Sequence, residues 1–390
     1  MLNFEAYPFV RLRRRLIFLA LLILVTASDR GLADEFGTGV AAYKSGRFQI
    51  AHEIFSRLAR TRDARAEFAL GLLYDNGEGV DVDRELAIGW YAKSAAQGYA
   101  KGQYNLALLY EQDDSVIGNH ALARTWFIRA AEAGNADGVA WLRNAADLDD
   151  ADAQFHLGRM YLLAKGVPRN DDESVRWIQP AAQTQHPQAT FTLGVLYESA
   201  RGVTRSYPEA VKWYELAAQL GSHEATYNLA RLHRLGRGVA RNIERAETLY
   251  VQAAIAGLVD AQLSLAMLYE AGQGWPHNSK KAFYWYRQAA LAGHADAQIN
   301  LAYLYGQGLG VGKDLIESYA WYVIAAKAGH HLAADNVAVL ASALNSQEID
   351  TAKIRAAMLF SKAKRPDPNK DNRSNENVPT RKNLPGVASR

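Results

Sequence analysis

The stretch Gly306-Gln307-Gly308-Leu309-Gly310-Val311-Gly312-Lys313-Asp314 holds glycines and a lysine of the kind that can wrap a phosphate. A phosphate loop needs a first glycine five residues before the one preceding its lysine, a Ser or Thr after the lysine, and a strand leading in. Gln307 and Asp314 occupy those positions, no strand-like run precedes them, and related loops recur as Asn76-Gly77-Glu78-Gly79 and Gly236-Arg237-Gly238-Val239. These loops are therefore read as tight turns. His52-Glu53 and His223-Glu224 lack the second His of a zinc-protease helix, and the chain has no Gly-x-Ser-x-Gly elbow. Asp147-Leu148-Asp149-Asp150-Ala151-Asp152 has neither the glycine nor the closing Glu of a calcium loop and reads as acids at a helix start. His330-His331 reads as a solvated pair. With no Cys anywhere, thiolate metal sites, disulfides and cysteine nucleophiles are excluded.

One cluster reads either as an ordinary solvated face or as a basic binding patch. Arg231, Arg234, Arg237, Arg241 and Arg245 fall within fifteen residues, and Arg201 and Arg205 precede them. Guanidinium groups suit carboxylate or phosphate partners through paired hydrogen bonds. The charge around them is uneven: residues 1–33 carry +3 and residues 361–390 carry +5, which leaves −5 on residues 34–360 of a chain whose net charge is +3. The basic balance comes from the two ends and does not point to nucleic acid.

The elements that would position these groups follow from an internal repeat. Leu157, Leu193, Leu229, Leu265 and Leu301 are spaced 36 residues apart, as are Leu70 and Leu106. A small residue follows each: Gly71, Ala107, Gly158, Gly194, Ala230, Ala266 and Ala302. Four residues after each Leu, on the same helical face, stand Tyr74, Tyr110, Tyr161, Tyr197, His233, Tyr269 and Tyr305. A second column holds Trp90, Trp126, Trp177, Trp213, Leu249, Trp285 and Trp321. Seven residues before it come Asp83, Asn119, Asn170, Ser206, Asn242, Asn278 and Asp314, all favoured helix N-caps. Eight residues after it come Gly98, Gly134, Gly221, Gly257, Gly293 and Gly329, suited to a left-handed helix end, with Gln185 the exception. Each unit is thus two antiparallel helices, A and B, too small to bury a face alone but able to stack on its neighbours.

The columns Ala-x-x-x-Leu-Gly-x-x-Tyr, Gly-x-Gly-Val and Ala-x-x-Trp-Tyr-x-x-Ala-Ala resemble Sel1-like repeats, relatives of the tetratricopeptide repeat, in seven copies over Ala64 to His330. The resemblance implies an all-α fold, a right-handed α-solenoid of stacked antiparallel helix pairs. It also implies an adaptor that assembles other proteins. If helix A lines the concave face, as the tetratricopeptide relation implies, the position two before each Leu approaches it. That position holds Phe68, Tyr104, Phe155, Phe191, Tyr227, Leu263 and Ile299, an aromatic row able either to stack a peptide or sugar chain or to pack between helices.

Taken in order, residues 1–33 read as a signal peptide, with Arg11, Arg13, Arg14 and Arg15 before the apolar run Leu16 to Val25. That run is about half the roughly 20 residues of a spanning helix, so cleavage is favoured over an anchor. Residues 34–63 read as an N-terminal cap resembling a tetratricopeptide hairpin, 64–135 as repeats one and two, and 151–330 as repeats three to seven. Between them, 136–150 is a single-helix interruption expected to redirect the superhelix near Trp141. Pro180 is expected to kink helix B of the third copy. Residues 331–360 read as C-terminal capping helices and 361–390 as a disordered basic tail. The expectation is a non-enzymatic, exported, periplasmic scaffold that binds another envelope protein and needs no cofactor or metal. The alternative is an acidic polysaccharide laid across the aromatic row and the arginines Arg201, Arg205, Arg231, Arg234, Arg237 and Arg241.

Overall fold

The computed structural model describes residues 32–112, 119–272 and 276–362. The expected signal peptide (1–33), as far as residue 31, and the expected tail (361–390), from residue 363, lie outside the described residues. Among the described residues the chain is all-α, with 19 helices and no strand. Helices α1 (Leu32–Lys44) and α2 (Phe48–Ala59) form the first hairpin. The pairs α3 (Ala64–Asn76) with α4 (Arg84–Ala96) and α5 (Ala100–Glu111) with α6 (Asn119–Glu132) follow. Helix α7 (Ala136–Asp147) stands alone in sequence and packs against both α6 and α8 (Ala151–Leu163). Helix α9 (Asp171–Gln183) continues through Pro180. The pairs α10 (Pro187–Ser199) with α11 (Tyr207–Gln219), α12 (His223–Leu235) with α13 (Ile243–Ile255), α14 (Val259–Ala271) with α15 (Ser279–Leu291), and α16 (Ala295–Gln307) with α17 (Leu315–Lys327) continue the array. Helices α18 (His331–Ala341) and α19 (Ser346–Lys362) both pack on α17. The contacts divide into two compact units, up to Ala181 and from Ala182.

Helix B of most copies starts where its cap residue puts an oxygen under free backbone N–H groups. Asp83, Ser206, Asn242, Asn278 and Asp314 accept from the N–H three residues on, at 2.9, 3.3, 2.8, 3.0 and 2.9 Å. The cap's own N–H then donates to the carbonyl of the Tyr column, as in Asn242 to His233 at 3.0 Å and Asp314 to Tyr305 at 2.9 Å. That bond closes the Gly-x-Gly loop and sets the angle between A and B.

The second loop glycine is required by close approach rather than by a ligand. Gly238 has φ 72°, and a Cβ there would sit 2.3 Å from the carbonyl carbon of Tyr207, the first residue of α11. Gly310, at φ 74°, would put a Cβ 2.1 Å from the carbonyl oxygen of Ser279, which opens α15. These two loops therefore wedge onto the start of the preceding copy's helix B, whereas the equivalent Gly166 meets Ala131 at the end of α6. At the helix B ends, Gly221 and Gly257 have φ 92°, and Gln185 adopts φ 65° at the same place without a glycine.

The core repeats with the sequence. Leu70, Leu106, Leu157, Leu193, Leu229, Leu265 and Leu301 are all 3% exposed or less. Burying one such side chain contributes about 1.5–3 kcal/mol. The small column beside them receives a ring from helix B: a Cβ on Gly71 would meet Tyr91 at 2.5 Å, and one on Gly194 would meet Tyr214 at 2.7 Å. In the unit from Ala182 onward these columns merge into one core running from Ala210 to Leu359.

Candidate functional site

The aromatic row is built into this packing. Phe68 is 8% exposed, with ring centroids 5.8 Å from Tyr91 and 5.5 Å from Tyr99. Phe155 is also 8% exposed, with the Arg159 guanidinium 5.8 Å from its ring. Tyr104 meets Phe127 at 5.5 Å, Phe191 meets Tyr214 at 5.9 Å, and Tyr227 meets Tyr250 at 5.6 Å. Leu263 is buried and Ile299 half-buried. The rings of Phe68, Tyr104, Phe191 and Tyr227 thus each meet the residue that follows the Trp column on their own helix B. Tyr104, Phe191 and Tyr227 keep partial exposure, and the Tyr227 hydroxyl lies 3.2 Å from Ser264 Oγ.

The arginines separate into two kinds. Arg231 on α12 is ion-paired to Glu198 at the end of α10, and Glu198 also accepts from the Tyr214 hydroxyl at 2.9 Å. Arg234 is half-buried beside Tyr250. Arg231 thus ties two neighbouring copies together, whereas Arg234 packs against helix B of its own copy. Arg205, Arg237, Arg241 and Arg245 are exposed, and the Arg237 guanidinium lies 5.5 Å from the Tyr207 ring centroid. Arg201 is half-buried in the α10–α11 loop. His233, which replaces the usual Tyr, is held below the ordinary imidazole range first by burial and then by the Arg245 charge.

A polar relay recurs beneath these groups. The ring after the Trp column donates its hydroxyl to an acid 16 residues earlier: Tyr91 to Asp75 at 3.4 Å, Tyr214 to Glu198 at 2.9 Å, Tyr286 to Glu270 at 2.6 Å. Burial and the neighbouring Glu198 carboxylate push the Tyr214 phenol far above its usual value. Tyr250 is pushed up to about 12, first by burial and then by the phenol of Tyr227.

A second recurring device was missed in the sequence. Gln103, Gln154, Gln262 and Gln298 are buried, and each donates Nε2 to the carbonyl eight residues earlier, at 3.3, 3.1, 3.0 and 3.2 Å. Each ties helix A to the end of the helix before it. Their fixed place three residues before the Leu was the available signal.

Other sequence candidates have structural jobs. Asp150 caps α8 by accepting from Ala153 N–H at 3.0 Å and pairs with Arg124, which holds its carboxyl below the ordinary range against the opposing effect of burial. His330 Nε2 lies 3.2 Å from Asp296, and its ring stacks on His331 at 5.7 Å. Among the described residues no cluster of three or more His, Asp or Glu side chains could hold a metal ion.

The surface left to helix A has its own character. Two residues after each Leu stand Leu72, Leu108 and Arg159 in one unit and Val195, Arg231, Met267 and Tyr303 in the other, all half-exposed. Stacked helix pairs with buried, repeating columns and a half-exposed, changing one define a helical-repeat scaffold. The chain belongs to the Sel1 repeat family: the Sel1 repeat model matches residues 64–99, 100–135, 151–184, 187–222, 223–258, 259–294 and 295–330. Members of this family serve as protein-interaction scaffolds, and the fold is generally non-catalytic. No curated protein matches the chain. Among solved structures it is similar to a Sel1 repeat protein from Oxalobacter formigenes, with 29% identity over 83% of this chain and 92% of that one, TM-score 0.49. It is also similar to a protective antigen of uropathogenic Escherichia coli with an SLR fold, with 25% identity over 85% and 84% of the chains, TM-score 0.40. A third likeness is to yeast Tom70, with 13% identity over 86% and 69%, TM-score 0.40.

Proposed function

We propose that this protein is an exported adaptor of the bacterial envelope, without catalytic activity, that binds another protein along the half-exposed faces of its A helices. The observation that supports this reading is the contrast between columns. The Leu and small columns hardly change from copy to copy, whereas the column two residues after Leu presents Leu, Leu, Arg, Val, Arg, Met and Tyr in turn. A repeating polymer would be matched by a repeating surface; an irregular apolar and charged strip matches an irregular partner. The acidic-polysaccharide reading is weakened because Phe68 and Phe155 are buried, the rings of Tyr104, Phe191 and Tyr227 are only partly exposed, and Arg231 is neutralised by Glu198. Export rests on the basic and apolar leader of residues 1–33.

The test is affinity capture from envelope extracts with the tagged full-length chain beside two variants. One carries Met267→Asp and Tyr303→Asp on the A-helix face; the other carries Arg237→Glu and Arg241→Glu in the α12–α13 loop. A protein captured by the wild type and lost in the first variant supports the reading. Retention of polysaccharide alone, lost in the second, would overturn it in favour of the glycan. Cell fractionation checks export: an intact leader on a cytoplasmic protein would refute that part.

A further inference from the structure

The second copy breaks the hydroxyl-to-acid relay. Its acid is Glu111, but the ring 16 residues later is Phe127, which has no hydroxyl to donate. Among the described residues, the group that donates to Glu111 is the indole Nε1 of Trp141, at 3.4 Å. Trp141 comes from α7, the single helix that interrupts the period, and one face of its indole stacks on Phe127 at 4.4 Å and 18°. The rest of the indole, with Glu111, His120, Ala121, Ala123 and Arg124, lines a pocket of about 340 Å³. Arg124 does not make this pocket cationic, because Asp150 and Asp152 both pair with it. Two acids offset its one charge, and Glu111 adds a carboxylate facing the same space. Burial raises the Glu111 carboxyl above its ordinary range, and the His120 charge opposes that rise. Glu111 is exposed at the mouth of the pocket, so an entering cation can reach its carboxylate and pair with it where the acids of other copies pair with a hydroxyl.

We infer that this pocket is a binding site for a lysine or arginine side chain of the partner, held between the Glu111 carboxylate and the Trp141 indole. A cation beside an indole is attracted by the ring quadrupole, and a carboxylate at the same mouth adds a charge-assisted hydrogen bond. The basic side chain is chosen over a neutral polar one because the fixed groups leave net negative charge, and over an aliphatic one because a carboxylate would be buried without compensation. That the side chain comes from a protein rests on the adaptor reading; the chemistry of the pocket does not.

The experiment titrates N-acetyl-lysine N-methylamide into the full chain and follows the indole N–H resonance of Trp141 by NMR, assigned by its loss in Trp141→Phe. N-acetyl-norleucine N-methylamide, with a similar chain length and no charge, is the control. The expected result is a shift with the lysine compound and none with norleucine. Glu111→Gln should weaken binding by about tenfold, while Glu270→Gln, which alters an acid held by Tyr286, should leave it unchanged. No movement of the Trp141 resonance, equal movement with norleucine, or unaltered affinity in Glu111→Gln would overturn the inference. The norleucine comparison uses the wild-type chain, so a misfolded variant would not rescue the idea. A partner captured equally by the wild type and Glu111→Gln would keep the adaptor reading while removing this site.

Discussion

Glu67 occupies, in the first repeat, the place where four other copies bury a glutamine. Those glutamines donate to the carbonyl eight residues earlier, a role that a carboxylate cannot fill. Glu67 is 4% exposed and accepts from Gln97 Nε2 at 2.7 Å, yet burial outweighs that bond and its carboxyl lies above the ordinary range. Glu67→Gln should therefore stabilise the protein at neutral pH. The introduced amide retains an oxygen for Gln97 and gains a donor, worth about 1 kcal/mol for a buried hydrogen bond. Relief of the carboxylate adds less than about 1 kcal/mol, since Lys93 and Arg62 lie near enough to offset part of its burial. The pH dependence has a definite sign. Because folding raises this pKa, the penalty is absent below the unfolded value, grows as pH rises toward the folded value, and is complete at pH 7. Urea unfolding of wild type and variant, followed by circular dichroism at pH 7 and pH 4, gives the difference at each pH. A gain at pH 7 that shrinks at pH 4 by the carboxylate's share and keeps the hydrogen-bond share is expected. A loss at pH 7, or the same gain at both, would refute the argument.

Other consequences follow from the same geometry. Gly238→Ala forces a Cβ into the backbone of Tyr207 at a left-handed position and should cost more than about 2 kcal/mol. Gly221→Ala, also left-handed but with nothing within 4 Å, should cost about 1 kcal/mol, and thermal melting should rank them in that order. Tyr250 ionises near pH 10 when unfolded and at about 12 when folded, so its contribution is constant below pH 10 and stability falls as pH rises from 10 to 12. Tyr250→Phe should remove about 2 kcal/mol of that alkaline loss, read as the difference in urea midpoints between pH 9 and pH 11.5. Arg231→Met leaves the Glu198 carboxylate half-buried beside Tyr214 and should destabilise by about 1–3 kcal/mol. Removing both charges with Glu198→Gln in the same chain should recover part of it, and a double-mutant cycle showing no coupling would count against the pair.

What the sequence made legible was whatever recurs at one spacing. The Leu column, the caps at Asp83, Ser206, Asn242, Asn278 and Asp314, and the helix ends at Gly221 and Gly257 could each be placed because seven copies vote on one position. The aromatic row could be listed but not oriented. Position two before the Leu lies on the flank of helix A, and only the distance from Phe191 to Tyr214 tells a groove from a packed seam. The arginine cluster could be listed but not sorted for a related reason: proximity in sequence did not reveal that Glu198, 33 residues before Arg231, pairs with it. The glutamine column was missed because Glu67, Thr190 and Thr226 interrupt it. Glu111 was hidden more deeply, since its significance lies in a hydroxyl absent from Phe127.

These departures bear on what the protein recognises. A solenoid holds its form through columns that must not change, so function has to enter where a column is free to change or where the period itself breaks. Both occur here: the half-exposed column after each Leu alternates between apolar and cationic residues, and α7 brings Trp141 against the one acid of its column whose partner ring has lost its hydroxyl. A homopolymer would offer the same group to every copy and would gain nothing from this variation. A folded partner or an extended peptide offers different side chains at successive positions, and a strip of Val195, Arg231, Met267 and Tyr303 distinguishes among them. Two of these residues are apolar, one is already paired, and one carries a hydroxyl, so affinity from this strip should come mainly from apolar burial and depend little on salt. Binding at the Glu111 pocket should weaken as salt rises. A partner that uses both surfaces should therefore show an affinity that falls with ionic strength to a plateau, and Glu111→Gln should flatten that fall without abolishing binding.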